Sequence, residues 1–268
     1  MTDLHIMNTP APHPRGTVLF VHGLGEHCGR YARLAQELRD ERWSTIVYDQ
    51  RGHGRSPGPR GVIPRTTSLL EELAGVIDLV KTRPLVLFGH SMGGLVAARF
   101  VAEGLAERPA AWCRYVDALV LSSPALMRQF GWKDRLKLAL GRLTPNATVR
   151  NGLDSSKISH DPAVVQAYQS DALVHDRVSP RLVHFILDSG ELVRERASQW
   201  RVPTLLLWAG ADALVDARGS ELFAAASPHA IVETHAFPEL YHEIFNESEP
   251  GRGNVMKVLR EWLGRVVK

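Results

Sequence analysis

Cysteine is nearly absent from this chain. Only Cys28 and Cys113 occur among 268 residues. Two thiols form no disulfide framework and match no metal-binding spacing, so neither a disulfide-stapled fold nor a metal module is expected. Long apolar runs are missing too. No stretch approaches the roughly 18 consecutive apolar residues that span a bilayer. The opening Met-Thr-Asp-Leu-His-Ile-Met-Asn-Thr-Pro has neither a basic n-region nor an apolar h-region, so no signal peptide is expected and the chain reads as reduced and cytoplasmic. One-sided charge is lacking as well: 32 Lys and Arg stand against 29 Asp and Glu, a net +3. That excess is too small to suggest a nucleic-acid partner, although an isoelectric point near 9.0 permits weak attraction to anionic surfaces. No internal repeat or low-complexity tract appears. What remains is an ordinary globular composition, 44% hydrophobic and 23% charged, in a chain long enough for one large domain that buries about 75% of its unfolded surface.

The most informative stretch is Gly89-His90-Ser91-Met92-Gly93-Gly94. Before it runs Pro84-Leu85-Val86-Leu87-Phe88, suited to a buried strand. After it comes Leu95 to Ala102, apolar at helical spacing and rich in helix formers. A Gly-x-Ser-x-Gly wedged between strand and helix is a nucleophile elbow, a turn tight enough to push the serine hydroxyl out at the strand's carboxyl end. Gly89 and Gly93 are needed because a Cβ at either would strike the closely approaching strand or helix.

Short apolar runs alternate with helical patterns along the rest of the chain. Strands are expected at Thr17–Val21, Trp43–Tyr48, Tyr115–Leu121, Val202–Ala209 and Ile231–Phe237. Helices are expected through Tyr31 to Leu38, over Thr67–Lys81 and over Val255–Val267, and the proline-rich first sixteen residues admit at most one edge strand. That alternation predicts an α/β fold with a mostly parallel sheet and helices on both faces. Functional residues of such sheets collect on loops at the carboxyl ends of strands. From about Ala125 to Gln199 no apolar β run occurs, and the stretch reads as several helices and turns, since a structureless loop of that length is implausible. It is expected to be an inserted helical cap (125–199) on a core made of 1–124 and 200–268. The first part of the cap, Leu126 to Leu143, carries Met127, Phe130, Trp132, Leu136, Leu140 and Leu143. It also holds Arg128, Lys133, Arg135, Lys137 and Arg142 against the single acid Asp134. Two readings fit: a surface making peripheral contact with a membrane or an aggregated apolar substrate, or an ordinary helix with its apolar side on the core.

A serine hydroxyl is a poor nucleophile at neutral pH and needs a base oriented by a carboxylate. In the elbow architecture these follow in the order Ser, Asp or Glu, His. Asp212 lies just beyond the run Thr204–Ala209 and is preferred to Asp216, which is placed to start the following helix and favour its dipole. Of twelve histidines, His5 and His13 lie in the leader, His160, His175 and His184 in the cap, and His229 and His235 beside or within the last strand. His242 follows that strand on a loop and is the one placed to reach a serine at the sheet's edge. The oxyanion needs two donors: the Met92 backbone N–H, directly after the serine, and the Leu24 N–H on His22-Gly23-Leu24-Gly25. Two rival readings of that loop are weaker. His22, Glu26 and His27 match no helical zinc motif. A dinucleotide site built on Gly23-x-Gly25 with Asp49 as ribose acid has Cys28 at its third glycine position.

His22-Gly23-Leu24-Gly25-Glu26-His27, Asp49-Gln50-Arg51-Gly52-His53-Gly54-Arg55-Ser56, the elbow and Gly210-Ala211-Asp212 together resemble the α/β-hydrolase fold. More narrowly they are similar to the bacterial monoacylglycerol lipase and lysophospholipase family, as are Tyr241-His242-Glu243 and Ser159-His160-Asp161-Pro162. The resemblance covers the core from about Thr17 and the second half of the cap. It implies Ser91 as nucleophile, Asp212 as acid, His242 as base, Leu24 and Met92 as oxyanion donors, and no cofactor. The implied activity is hydrolysis of a small lipid ester, most narrowly monoacylglycerol to glycerol and fatty acid. A lysophospholipase, short-chain carboxylesterase or peptidase on the same triad is the alternative. A dehalogenase would need a carboxylate where Ser91 stands, and a non-catalytic binder would have no use for a filled triad. The leader is shorter than the family's usual pair of opening strands, so a reduced sheet edge is expected. The first half of the cap matches little of the family.

Overall fold

The computed structural model describes residues 3–127 and 141–266. Nine strands occur in the described residues: β1 (Ile6–Thr9), β2 (Gly16–Val21), β3 (Trp43–Tyr48), β4 (Leu85–His90), β5 (Ala118–Ser122), β6 (Val149–Arg150), β7 (Arg177–Val178), β8 (Thr204–Ala209) and β9 (Val232–Phe237). Seven form one sheet in the order β1-β3-β2-β4-β5-β8-β9. All its pairings are parallel except β1 with β3. The single antiparallel strand β1 is the one edge strand that the leader admits.

Residues of β2 and β4 are buried throughout, because alternate side chains of a strand enter opposite faces and both faces are covered. Leu19, Val21, Leu87, Leu121 and Leu206 share one core with helices α2 (Ser68–Ile77) and α3 (Met92–Gly104). Val18, Phe20, Phe88, Val120 and Leu207 share the other with α1 (Ala32–Asp40) and the closing helix at Gly251–Val266. This two-sided burial is why the central strands read as continuous apolar runs rather than alternating ones.

The stretch between β5 and β8 contains α4 (Pro162–Ser170) and α5 (Pro180–Glu195). It also contains the antiparallel ribbon of β6 and β7, which was not expected: two residues per strand leave no alternation to read. α5 buries Leu182, Phe185 and Val193 in the same core as α3. The remaining α-helices among the described residues are α6 (Arg218–Ala226) and α7 (Gly251–Val266). Of the basic stretch Leu126–Leu143, residues 128–140 lie outside the described residues, and with them the question of a lipid-facing surface. No helix among the described residues is long and apolar enough to cross a membrane.

Several boundaries differ from those expected. β5 begins at Ala118 rather than Tyr115, whose ring is exposed under the Arg83 guanidinium, 5.6 Å from its centroid. Asp117 instead accepts the Leu85 N–H at 2.7 Å and so anchors the start of β4. The helix expected to reach Lys81 stops at Ile77, and the closing helix begins at Gly251, four residues before Val255.

Candidate active site

The sheet order makes a crevice where the chain reverses direction: β2 is followed in sequence by β3 on one side and then by β4 on the other. Ligand sites of open parallel sheets form at such a switch point, beyond the carboxyl ends of the strands. Val21 pairs in register with Gly89, so the loop after β2 and the turn after β4 leave the sheet side by side. A Cβ on Gly23 would stand 3.2 Å from the Ser91 Cβ. Ser91 adopts φ 53° and ψ −122°, a conformation that costs a non-glycine residue on the order of 1–3 kcal/mol. The surroundings hold it there. Its N–H donates to the Ser122 carbonyl, and its own carbonyl accepts from Leu95 and Ala125, each at 3.0 Å. A Cβ at Gly93 would collide with the Val21 carbonyl, and one at Gly89 with the turn backbone of Gly93 and Gly94.

Asp212 follows β8. Its Oδ1 accepts the N–H groups of Leu214 at 2.8 Å and Val215 at 3.0 Å, which leaves Oδ2 to accept from Nδ1 of His242 at 2.6 Å. Burial works against both charges, but each partner outweighs it. His242 and the backbone donors hold the Asp212 carboxyl below its ordinary range, and Asp212 holds the His242 imidazole above its own. With Nδ1–H committed to Asp212, the basic lone pair of His242 is on Nε2. The His242 ring lies 4.7 Å from that of His90, the residue before Ser91. Burial and the neighbouring His242 push His90 down to about 4, so it is neutral at pH 7, with Nδ1 3.1 Å from the Ser122 hydroxyl. The structure thus joins Asp212 to His242 and sets that pair beside the elbow. A Ser91–His242 hydrogen bond is not among the contacts of the described residues; such contacts commonly tighten only when substrate binds. Asp216 accepts the Arg218 N–H at 3.1 Å, two residues on, at the start of α6.

Leu24 sits in the turn after β2, and Met92 is the first residue of α3. First-turn N–H groups have no partner within their helix, and neither of these two N–H groups meets a protein acceptor among the described residues. The loop is fixed from behind by Glu26. One of its oxygens accepts the Gly23 N–H at 2.5 Å and the Tyr31 hydroxyl at 2.7 Å; the other takes Arg30 at 3.2 Å. Burial opposes the ionised form, yet Arg30, His90, His22 and the Gly23 N–H lower the Glu26 carboxyl to about 2. His22 donates from Nδ1 to the Gly23 carbonyl at 2.8 Å and accepts the Gln50 N–H on Nε2 at 2.9 Å. His27 meets Asp171 at 2.8 Å. The residues of the metal reading are therefore engaged in holding the loop. In the dinucleotide reading the third glycine position is Cys28, whose N–H donates to Asp49 at 2.7 Å, and the Arg55 N–H donates to the other Asp49 oxygen at 2.8 Å.

Two supporting groups escaped the sequence reading. Glu243, next to the histidine, closes a buried cluster by pairing with the Arg30 guanidinium through both oxygens. The second group clamps the histidine loop to the stretch between β5 and β8. The Ser159 hydroxyl donates to the Asn246 carbonyl at 2.9 Å, and the Glu243 N–H donates to the Ile158 carbonyl at 2.8 Å. His160 stacks on Tyr241 at 3.6 Å and meets Glu247 at 2.9 Å. The sequence marked Tyr241-His242-Glu243 and Ser159-His160-Asp161-Pro162 only as segments similar to the family, without these contacts.

Residues 12–249 match the hydrolase family described as serine aminopeptidase, S33. A monoacylglycerol lipase of Mycolicibacterium smegmatis is 33% identical, over 90% of this chain and 86% of its own. A phospholipase of Bacillus subtilis is 31% identical over 96% and 98% respectively. The crystal structure of the monoacylglycerol lipase of Paleococcus ferrophilus superposes with a TM-score of 0.86 at 32% identity, covering 98% of this chain and 99% of that one.

Proposed function

The chain belongs to the serine aminopeptidase S33 family of α/β-hydrolases, and from that membership we propose that Ser91, His242 and Asp212 hydrolyse the ester of a monoacylglycerol. The enzyme is a carboxylic ester hydrolase. The observation that carries the assignment of residues is the Asp212–His242 hydrogen bond, 2.6 Å long, set beside the strained elbow at the sheet's switch point. In this reading His242 Nε2 takes the Ser91 proton as the hydroxyl attacks the ester carbonyl, and the Leu24 and Met92 N–H groups receive the oxyanion. His242 then returns the proton to the departing glycerol, and water activated the same way releases the fatty acid. Residues 125–199 act as the cap and bind the acyl chain. The enzyme works from the cytoplasm on lipid presented at a membrane surface.

The test is a fluorophosphonate label followed by an activity panel. Ser91 should carry the adduct, and Ser91→Ala should lose about 10⁶-fold in kcat. A variant that keeps a tenth of the wild-type rate would remove Ser91 from the role. Rates on monoacylglycerol, lysophospholipid, a short aryl ester and an aminoacyl amide then separate the substrate classes, and monoacylglycerol should give the highest kcat/KM. The phospholipase relative makes lysophospholipid the second substrate to rank.

A further inference from the structure

A second set of reactive side chains lies outside the hydrolytic site. His5, Cys28 and Asp49 each offer one donor atom, and these atoms all lie within 4.8 Å of one another. They line a pocket of about 320 Å³ together with Met7, His27 and Arg55, none of them a member of the triad. Their main chains are laced together, so the arrangement does not depend on a loose leader. The Asp49 N–H donates to the His5 carbonyl at 2.9 Å, and the His5 N–H donates to the Ser56 hydroxyl at 2.9 Å. That hydroxyl in turn donates to the Asp49 carbonyl at 2.6 Å. Asp49 is further held by the Cys28 and Arg55 N–H groups, yet a carboxylate with two accepted bonds keeps lone pairs on both oxygens. The His5 ring has no protein hydrogen bond among the described residues, so its nitrogens are available.

We propose that His5, Cys28 and Asp49 bind a single thiophilic divalent cation of the zinc class. A sulfur, an imidazole nitrogen and a carboxylate oxygen suit Zn²⁺ or Co²⁺, whereas Mg²⁺ and Ca²⁺ take oxygen ligands. The charges close: one thiolate and one carboxylate neutralise a dication. On binding, the metal replaces the proton of the Cys28 thiol, and that proton leaves to solvent. The filled site would tie three segments together at one point: the leader strand, the turn after the loop that carries Leu24, and the loop after β3. No spacing rule finds such a site, because its residues lie 23 and 21 positions apart in the chain.

The test is titration of the tag-free, full-length protein with cobalt(II). A single cobalt should bind per chain, with the near-ultraviolet thiolate-to-cobalt absorption that marks a sulfur ligand, and zinc should displace it. Cys113→Ser should keep that band and Cys28→Ser should lose it. His5→Ala, a change at a partly exposed side chain, should weaken binding at least tenfold, a loss that even an outer-sphere partner can cause, without lowering the melting temperature of the metal-free protein. A wild-type protein without the band, a band that survives Cys28→Ser, or a His5→Ala variant with unchanged affinity would each overturn the site. Failure here leaves the hydrolytic reading untouched, because the triad residues are not among the ligands.

Discussion

At the scale of the residue, the same contact that orients His242 also sets its working pH. The Asp212 carboxylate raises the imidazole above its ordinary 6.5 in spite of burial. A general base works only when neutral, so activity is gained as pH rises through that raised value and is lost below it. The acid limb of the kcat/KM profile should therefore lie above pH 6.5. Asp212→Asn takes away the charge that raises the imidazole and leaves the burial that lowers it, so the limb should move to lower pH. The variant's kcat should drop about 10⁴-fold, because an amide no longer fixes the productive tautomer. A profile whose limb stays in place in Asp212→Asn would show that another group titrates. Cys28 is the contrasting case. Burial and the Asp49 carboxylate push its thiol up to about 12, so in the metal-free protein alkylating reagents at neutral pH should leave activity intact.

At the scale of the element, the stretch between β5 and β8 meets the core backbone to backbone. The Ser179 N–H donates to the Gly61 carbonyl, and the His175 N–H donates to the Gly25 carbonyl, each at 2.9 Å. Both glycines have positive φ, +70° and +83°, and a Cβ on either would drive into a carbonyl opposite, Arg177 or His175. Gly61→Ala should destabilise by about 1–3 kcal/mol. It should lower the melting temperature by several degrees and speed proteolysis near residues 175–179, with kcat/KM changed less than tenfold. Gly25→Ala strains the turn that presents the Leu24 N–H. It should cost about 10²-fold or more in kcat, the loss that follows when one oxyanion donor is removed. Equal kcat losses in the two variants would contradict a specific role for the turn. These contacts also mark the limit of what the sequence revealed. The central strands were legible because burial on both faces writes an unbroken apolar run, and the elbow because its glycines are sterically required. The β6–β7 ribbon and the backbone docking at Gly25 and Gly61 were not, because main-chain hydrogen bonds place no demand on side-chain type. Asp212 and His242 were singled out from their order after strands; their mutual contact could come only from the fold.

At the scale of the whole molecule, one ionic cluster joins parts of the chain that the sheet alone does not bind. Arg30 leaves the turn before α1 and pairs with Glu26, four residues back, and with Glu243, 213 residues on, beside the proposed general base His242. All three side chains are at least nine-tenths buried. Removing one partner of such a cluster leaves uncompensated charge in the interior and costs about 3–5 kcal/mol. Arg30→Met keeps an unbranched apolar stem, shorter than that of arginine, and removes the charge. The pH dependence then gives a test that mere loss of packing would not satisfy. In the wild type, Glu26 lies near 2 against an ordinary 4.5, so its contribution is complete above 4.5 and disappears only as pH falls toward 2. Without the guanidinium, burial, the largest influence on Glu26, loses its main opponent, and the folded-state Glu26 carboxyl should rise above its unfolded value. A group raised in that way stabilises at low pH and loses its contribution as pH increases. Arg30→Met should therefore melt higher at pH 5 than at pH 8, where the wild type shows no such gain. Parallel melting curves for the two proteins across that interval would mean that the cluster contributes packing rather than charge pairing to the loop that carries His242.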